Sequence, residues 1–294
     1  MRRNGRSQCL FGMHVLIFVL LIGVAVQAQT SPAPSPTPRS SPTPSLESQF
    51  FKNILRDQKA IWTAPLHLER SDAKWIVPGA IGFGALITTD RITGDEIAEF
   101  DRGIPASRII SYPGSICGVG VVAATFYVVG RKTKNTRARE TGILSAQAAI
   151  DSLIVSNALK VASQRARPEA ERERSEFFDG GTSFPSGHSM QAWSVATVIA
   201  NEYHDNRKVQ IAAYGIASAV SVARFTGGKH YISDVLVGSV LGFAIGRYVY
   251  HTHHREPPES SGEDDGPKVS KWPAISPQYN RGARAFGIGL RWSF

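Results

Sequence analysis

The chain has 294 residues, of which 42% are hydrophobic and 19% charged, and its formal net charge is +9 at pH 7. This length predicts one domain with appended segments, and the ordinary apolar content excludes a protein built almost wholly of lipid-facing segments. The basic residues are dispersed between apolar segments without a nucleic-acid-binding motif, so we expect no nucleic-acid partner. The positive charge is explained better by an anionic ligand, and by the excess of Lys and Arg in cytoplasmic loops of membrane proteins, than by nucleic-acid binding.

Residues 1–28 are predicted to be an export signal. Three arginines precede an apolar run, 10–26, and Val26-Gln27-Ala28 resembles a cleavage site between small residues. The segment is therefore either a cleaved signal peptide or an uncleaved anchor. Because Cys9 lies within it, Cys117 has no partner for an intramolecular disulfide in the mature chain.

The next segments are predicted to be a linker and an amphipathic helix. Residues 29–48 are rich in Pro, Ser and Thr, a composition that stays extended and builds no core. Residues 46–72 mix aromatic and charged side chains, including Phe50 and Phe51. A helix of this kind either lies on a membrane surface or packs on the core.

Six apolar segments predict helices, because they are long and lack the alternation that is typical of strands. They lie at about 75–89, 109–130, 141–160, 189–203, 208–224 and 232–250. Only 109–130 is free of charge for long enough to predict a membrane span by itself. Asp151 and neighbouring polar residues indicate that 141–160 is buried in a bundle.

The C-terminal part changes character twice. Residues 256–270 form a polar, acidic linker, and residues 271–294 alternate apolar with small or polar side chains, which predicts a short β-hairpin packed on the domain. Between the last apolar segment and this linker lie His251, His253 and His254. They either bind metal adventitiously or form a polar cap at a membrane boundary.

The first of three polar clusters contains Lys160 and Arg167-Pro168. The two cations are seven residues apart, close to two helical turns, so we expect them on one helix face. Pro168 disfavours helical geometry at and just before itself, so the helix should end near Arg167. The alternative is a solvated basic face.

The second cluster, Pro185-Ser186-Gly187-His188, is a turn that opens an apolar helix. Gly187 permits the close approach of a ligand, and the free N–H groups and positive dipole end of a helix start favour an anion. The Ser186 hydroxyl adds a donor, and His188 would lie beside the anion. An ordinary Ser N-cap followed by a surface His is the alternative.

The third cluster contains Arg224, His230 and Asp234. His230 and Asp234 are four residues apart, which predicts neighbours on one helix face. A carboxylate beside an imidazole fixes its tautomer and leaves the other ring nitrogen free as a nucleophile. Arg224 precedes a Gly227-Gly228 turn and could reach the same anion. A helix-start His paired with an acid is the alternative.

Together the clusters resemble the three-part signature of the type 2 phosphatidic acid phosphatase/vanadium haloperoxidase superfamily. The matching motifs are Lys160-x6-Arg167-Pro168, Pro185-Ser186-Gly187-His188 and Arg224-x5-His230-x3-Asp234. The resemblance covers roughly Ala73 to Tyr250, and one departure is Ala223, where many members carry Ser. It implies an all-α bundle of about six core helices, here a phosphatase domain over residues 49–255.

The resemblance also implies a phosphoric ester hydrolase. His230 would attack phosphorus and carry a phosphohistidine, Asp234 would orient it, and His188 would protonate the leaving alkoxide and later activate water. The implied phosphate-binding groups are Lys160, Arg167, Ser186, Gly187 and Arg224. Since fixed cations can replace a divalent metal, we expect neither a metal nor a cofactor. The alternative activity is that of a vanadium-dependent haloperoxidase, with vanadate in the same place.

The expected substrate is a phosphorylated lipid or a small phosphate ester. If 109–130 crosses inward, the loop 131–140, with five basic residues, is cytoplasmic, as the positive-inside rule requires. The three clusters then share the export side, with the loop 169–183 over the site, and 75–89 does not span. We expect an inner-membrane protein with a periplasm-facing site, or a soluble periplasmic acid phosphatase. The sequence leaves the oligomeric state open.

Overall fold

The computed structural model describes residues 45–100, 105–168, 175–254, 274–280 and 285–291. It divides into two compact units, Met1–His254 and Arg255–Phe294. The predicted signal, most of the first linker and the acidic linker lie outside the described residues.

The described part of the first unit is all helical, which confirms the predicted fold class. Its α-helices are α1 (Leu46–Thr63), α2 (Ala73–Phe100), α3 (Pro105–Ile110), α4 (Ile116–Thr133), α5 (Thr136–Ser163), α6 (Gly187–Glu202), α7 (Arg207–Thr226) and α8 (Ile232–His253). Short 3-10 helices cover Ala64–His67, Arg70–Asp72 and Tyr112–Gly114.

Helix α6 is the centre of the bundle and packs against α5, α7 and α8. Its buried side chains join those of α5 and α8 in the main core, which includes Leu144, Met190, Val198 and Val249. The backbones of α6 and α8 approach closely, because a Cβ on Gly242 would lie only 2.2 Å from the carbonyl oxygen of Met190. This close packing fixes the N-terminal turns of both helices relative to each other.

The amphipathic helix predicted within 46–72 is present as α1, and it packs on the bundle. Ser45 caps its start, since the Ser45 hydroxyl accepts a hydrogen bond from the Ser48 N–H at 3.2 Å. Its buried face combines apolar Leu46 and Ile54 with polar Asn53 and Asp57. Its opposite face exposes Phe51 and other apolar side chains.

The span predicted over 109–130 is present as α4, but it begins later than predicted. Helix α3 ends at Ile110, a 3-10 turn follows, and α4 begins only at Ile116. Pro113 lacks a backbone N–H and disfavours helical geometry before it, while Ser115 accepts a hydrogen bond from the Gly118 N–H at 3.0 Å and starts a new helix.

Three described helices, α4, α5 and α8, are long and apolar enough to cross a membrane. Of their apolar windows, 61% of that in α5 is buried but only 22% of that in α4. The side chain of Asp151 is fully buried in α5. The prediction that α5 lies inside a bundle is confirmed.

The described residues of the second unit are two strands, β1 (Ala274–Asn280) and β2 (Ala285–Arg291). They pair antiparallel, with Asn280 opposite Ala285 and Ala274 opposite Arg291. That the tail packs on the helical domain stays a prediction.

Candidate active site

The first cluster is divided between the end of α5 and the chain that follows it. Gln164 has a left-handed conformation (φ 46°), and its N–H donates to the Lys160 carbonyl at 2.9 Å, so α5 ends at Ser163. Lys160 lies in the last helical turn, whereas Arg167 comes from the non-helical segment beyond. The prediction that both cations share one helix face, with the helix ending near Arg167, is therefore wrong.

The ammonium group of Lys160 nevertheless reaches the start of α6. A Cβ on Gly187 would lie 3.2 Å from Lys160 Nζ and 3.6 Å from Ser156 Oγ. No side-chain hydrogen bond caps this helix at Ser186. The missing side chain of Gly187 thus leaves room for a cation beside the N–H groups of the first turn, which have no intrahelical partner. Such an arrangement favours a bound anion.

The turn before α6 is fixed on the first turn of α8. The Ser186 N–H donates to the Asp234 carbonyl at 3.0 Å, and the Ser189 hydroxyl donates to Ser186 Oγ at 3.0 Å. A Cβ on Gly238 would lie 2.6 Å from the Ser186 carbonyl oxygen. The second and third clusters are therefore held in direct contact.

His230 and Asp234 face each other across the N-terminus of α8. The two residues are neighbours, as predicted, but they do not share a helix face, because α8 begins at Ile232 with Tyr231 as its N-cap. Asp234 Oδ2 accepts the Tyr231 N–H at 3.0 Å, which turns the carboxylate back towards the preceding residues. His230 Nδ1 lies 3.7 Å from this same oxygen.

Both imidazole rings are surrounded by low-dielectric protein and by cations. Burial lowers the pKa of His230 to about 4, with Arg224 and Arg167 adding to the effect and Asp234 opposing it. Burial likewise lowers the pKa of His188 to about 3, assisted by the charges of Arg224, His230 and other cations of the site. In the absence of an anion, both rings are neutral at pH 7.

The structure thus brings the sequence-predicted residues together from four parts of the bundle. Lys160 comes from α5, His188 from the first turn of α6, Arg224 from the last turn of α7 and Asp234 from the first turn of α8. Because helix starts and helix ends alternate along the chain, these termini meet at one end of the bundle.

Residues 141–258 match the family model of the PAP2 superfamily. This segment, 118 of the 294 residues, is similar to the PAP2 superfamily. The matched segment contains all three sequence clusters and helices α6, α7 and α8, and it confirms the resemblance drawn from the motifs.

Two curated proteins are similar to a part of the chain. It is 32% identical over 95 residues to a lipid A 1-phosphatase of Porphyromonas gingivalis, covering 32% of this chain and 20% of that protein. It is 28% identical over 148 residues to a PA-phosphatase related-family protein of Dictyostelium discoideum, covering 44% of this chain and 54% of that protein. The chain therefore spans a fifth and about half of these relatives' lengths.

Solved structures with similarity to the chain include PAP2 proteins and a haloperoxidase. A transmembrane PAP2-type phosphatidylglycerolphosphate phosphatase from Bacillus subtilis has 21% identity and a TM-score of 0.44, covering 69% of this chain and 94% of that one. Aquifex aeolicus LpxE has 16% identity and a TM-score of 0.39 (56% and 93% covered). A bacterial vanadium-dependent iodoperoxidase has 18% identity and a TM-score of 0.42 (58% and 49% covered).

Sequence reasoning missed two charged residues next to the PAP2 signature, Arg165 and Asp90. Both side chains are fully buried, and Arg165 Nη1 lies 2.6 Å from Asp234 Oδ1. Arg165 stands inside the first motif, and Asp90 follows the apolar run of α2. A charge at the end of an apolar run was the available signal, but periodicity cannot pair residues so far apart in sequence.

Two of the three histidines at the end of α8 pair with carboxylates, and His251 is exposed. His253 is buried, with Nε2 2.8 Å from Asp57 Oδ1, and His254 Nδ1 lies 3.2 Å from Glu202 Oε2. Within the described ranges, no group of three or more His, Cys, Asp and Glu residues is placed to hold a metal ion. His253 instead joins α8 to α1.

The loop predicted to lie over the site is described from Ser175 onwards. The Ser175 N–H donates to the Tyr231 hydroxyl at 2.7 Å, and the Phe177 ring lies 5.7 Å from that of Phe184. Phe184 also contacts Phe83 of α2, with ring centroids 5.6 Å apart. The loop is therefore attached beside the Pro-Ser-Gly-His turn, and its role in selecting the leaving group stays a prediction.

Proposed function

We propose that this protein is a metal-independent phosphatase that hydrolyses a phosphate monoester or pyrophosphate through a phosphohistidine on His230. The observation that carries this proposal is the placement of His230. Its ring is 2% exposed, and Nδ1 faces the Asp234 carboxylate at 3.7 Å. A neutral imidazole with one nitrogen turned to a carboxylate presents the other as a nucleophile.

In the first step, His230 Nε2 attacks phosphorus and the bond from phosphorus to the leaving oxygen breaks. His188 donates its proton to that oxygen, so the leaving group departs as an alcohol or as a phosphate. Asp234 stabilises the positive charge that the His230 ring acquires.

In the second step, water attacks the phosphohistidine. His188, now neutral, accepts a proton from the water, the phosphorus–nitrogen bond breaks, and inorganic phosphate leaves. His230 returns to its neutral form, and His188 passes its proton to the departing phosphate, because its pKa is low in the free protein.

Three cations take the part that a metal ion has in other phosphatases. The charges of Arg224, Lys160 and Arg167 all lower the pKa of His188, and Lys160 Nζ lies beside the start of α6. With the Ser186 hydroxyl and the Gly187 N–H, the three cations would hold the phosphoryl oxygens. Removing one preorganised donor of this kind typically costs about 100- to 1,000-fold in rate.

The negative charge of the substrate supplies the protonation state that His188 needs. In the free protein, burial and cations lower its pKa to about 3. A bound phosphoryl group brings negative charge next to the ring, which favours the imidazolium form and raises this pKa. Binding and protonation of the general acid are thereby coupled.

We further propose a lipid phosphate as the substrate and a periplasm-facing site in the inner membrane. Three helices can cross a membrane by length and composition. Large apolar side chains are exposed on α2, α4, α7 and α8, including Ile81, Ile92, Ile116, Val128, Ile211, Ile216, Val222, Leu236, Val240 and Phe243. Such an extensive apolar surface fits lipid better than water. The basic residues of 131–140 lie where α4 ends and α5 begins, at the opposite end of α5 from Lys160, as the positive-inside rule requires.

The test is a substrate panel with purified protein in detergent and a chelator. We expect release of phosphate from lipid phosphates, slower release from p-nitrophenyl phosphate, and no loss on chelation. His230→Ala should abolish turnover and the trapped acid-labile phosphoenzyme, whereas His204→Ala, at an exposed histidine, should change neither. Activity that survives in His230→Ala, or that requires a divalent metal, would refute the mechanism.

A further inference from the structure

A buried guanidinium lies behind the carboxylate that faces His230. Arg165 Nη1 is 2.6 Å from Asp234 Oδ1, the oxygen that does not face the imidazole, and its other terminal nitrogen, Nη2, is 2.8 Å from Asp90 Oδ2. The side chains of Arg165, Asp90 and Asp234 are all fully buried. The groups form one row: His230, Asp234, Arg165, Asp90.

This row is fixed by further contacts on each side. Ser233 Oγ accepts from Arg165 Nη1 at 2.7 Å and donates to Asp90, whose other oxygen accepts the Ser233 N–H at 3.2 Å. The guanidinium lies over the rings of Phe177 and Tyr231, 4.8 and 4.5 Å from their centroids. A planar guanidinium held in this way cannot rotate without breaking several contacts.

We propose that Arg165 and Asp90 are positioning residues for the His230–Asp234 pair, an inference that rests on the proposed function. Arg165 holds Asp234 by the oxygen remote from the ring and so orients the oxygen that faces His230. Its positive charge alone would weaken the effect of Asp234 on the imidazole, and Asp90 offsets that charge. Asp90 belongs to α2, outside the segment 141–258 that matches the family model.

The charge balance gives this proposal a signature that packing alone does not produce. The charged and titratable groups around His230 are Asp234, Arg165, Lys160, Arg167, Arg224 and His188. Removing the negative charge of Asp90 disfavours the imidazolium form of His230, and removing the positive charge of Arg165 favours it. Removing both charges leaves the net charge next to Asp234 unchanged.

The experiment compares Asp90→Asn, Arg165→Met and the double variant with wild type, measuring kcat, KM and the pH dependence of kcat/KM. For Asp90→Asn we expect kcat to fall about 10- to 100-fold through misplacement of the nucleophile. KM should be unchanged, because the three phosphate-binding cations remain. The acid limb of kcat/KM should move to lower pH in Asp90→Asn, to higher pH in Arg165→Met, and back to the wild-type position in the double variant.

Asp57→Asn is the matched control, since Asp57 is an equally buried carboxylate bonded to a histidine at the other end of α8. Asp57→Asn should change neither KM nor the position of the acid limb in the pH profile of kcat/KM. Wild-type kcat in folded Asp90→Asn, or a loss of kcat without movement of the limb in either single variant, would overturn the proposal.

If the single variants do not fold, the double variant provides the test, because it removes two opposite buried charges together and leaves Asp234 its hydrogen bonds from Ser183 and Tyr231. Reduced kcat with wild-type KM and acid limb supports the proposal, and wild-type kcat overturns it. A wild-type protein without phosphatase activity would refute the proposed function instead.

Discussion

His253 Nε2 lies 2.8 and 2.9 Å from the two carboxylate oxygens of Asp57, which joins the end of α8 to the middle of α1. Gln147 of α5 also donates to Asp57, and Gln58 donates to Asp151 Oδ1 at 2.8 Å. Helix α1 is therefore attached to the bundle through buried polar contacts as well as through Ile61, which packs on the main core. Such polar contacts contribute little when complete but are costly to break, because the remaining partners stay desolvated.

The first prediction concerns this attachment. Asp57→Ala should lower the free energy of unfolding by about 3 kcal/mol, since it leaves His253 and Gln147 without their shared acceptor. Thermal unfolding in detergent, followed by circular dichroism, measures the change. Lys52→Ala, at an exposed position of the same helix, should have almost no effect. Equal unfolding midpoints for both variants would contradict the role of the Asp57 contacts.

The second prediction concerns the space that Gly187 leaves for Lys160. In Gly187→Ala the new Cβ would lie 3.2 Å from Lys160 Nζ, so the ammonium must move away from the start of α6. We expect kcat/KM to fall about tenfold or more, since displacing a phosphate-binding cation weakens its interaction with the transition state. Stability should not fall, because alanine is the better helix former.

Gly215→Ala in α7 is the matched control for this prediction. A Cβ at Gly215 has no atom within 4 Å, so the substitution should change only helix propensity. We expect unchanged kcat/KM and a gain in stability of up to about 1 kcal/mol. Equal activity of the two alanine variants would show that Lys160 does not need its place beside Gly187.

The extent to which the sequence predicts this site can be judged from Lys160 and Arg167. Their membership of one cluster follows from the motif, but their arrangement does not, because the left-handed conformation of Gln164 ends α5 earlier than Pro168 indicates. The helix over 109–130 is likewise divided by a local feature, Pro113. Apolar periodicity locates helices well, while their ends depend on single residues and on tertiary contacts.

The contacts of Arg165 show a second limit of sequence reasoning. Its partners Asp90 and Asp234 are distant in the chain, and only the packing of α2 beside α8 brings them together. His253 is similar. Its partner Asp57 lies in α1, and the sequence did not decide whether that helix lies on a membrane surface or packs on the core. Pairings of this kind follow from the three-dimensional arrangement of helices and leave no local pattern.

The third prediction is a bell-shaped dependence of kcat/KM on pH. Below about 4, His230 is protonated and has no lone pair for attack. Above about pH 6, an alkyl phosphate loses its second proton. His188 cannot replace it, because its pKa is lowered to about 3 and the ring is neutral when the substrate binds. The reaction therefore requires a neutral His230 and a substrate that carries one proton, and the optimum lies between these limits.

An aryl phosphate, whose second pKa is lower than that of an alkyl ester, separates the two limbs. We expect the alkaline limb to move to lower pH with this substrate and the acid limb to stay in place, because only the latter belongs to the protein. An alkaline limb that is the same for both substrates would assign it to a protein group and contradict the coupling of substrate charge to His188.

The fourth prediction concerns the leaving group. A general acid is needed most when the leaving oxygen is strongly basic, as in an alkyl phosphate, and least for p-nitrophenolate, which leaves without a proton. His188→Ala should therefore lower kcat about 100- to 10,000-fold for an alkyl phosphate and clearly less for p-nitrophenyl phosphate.

Single-turnover measurements with both substrates separate phosphoenzyme formation from its hydrolysis. In His188→Ala, hydrolysis of the phosphoenzyme should slow by the same factor for both substrates, because the leaving group has already departed when His188 activates water. Equal losses in phosphoenzyme formation for the two substrates would show that His188 does not protonate the leaving oxygen.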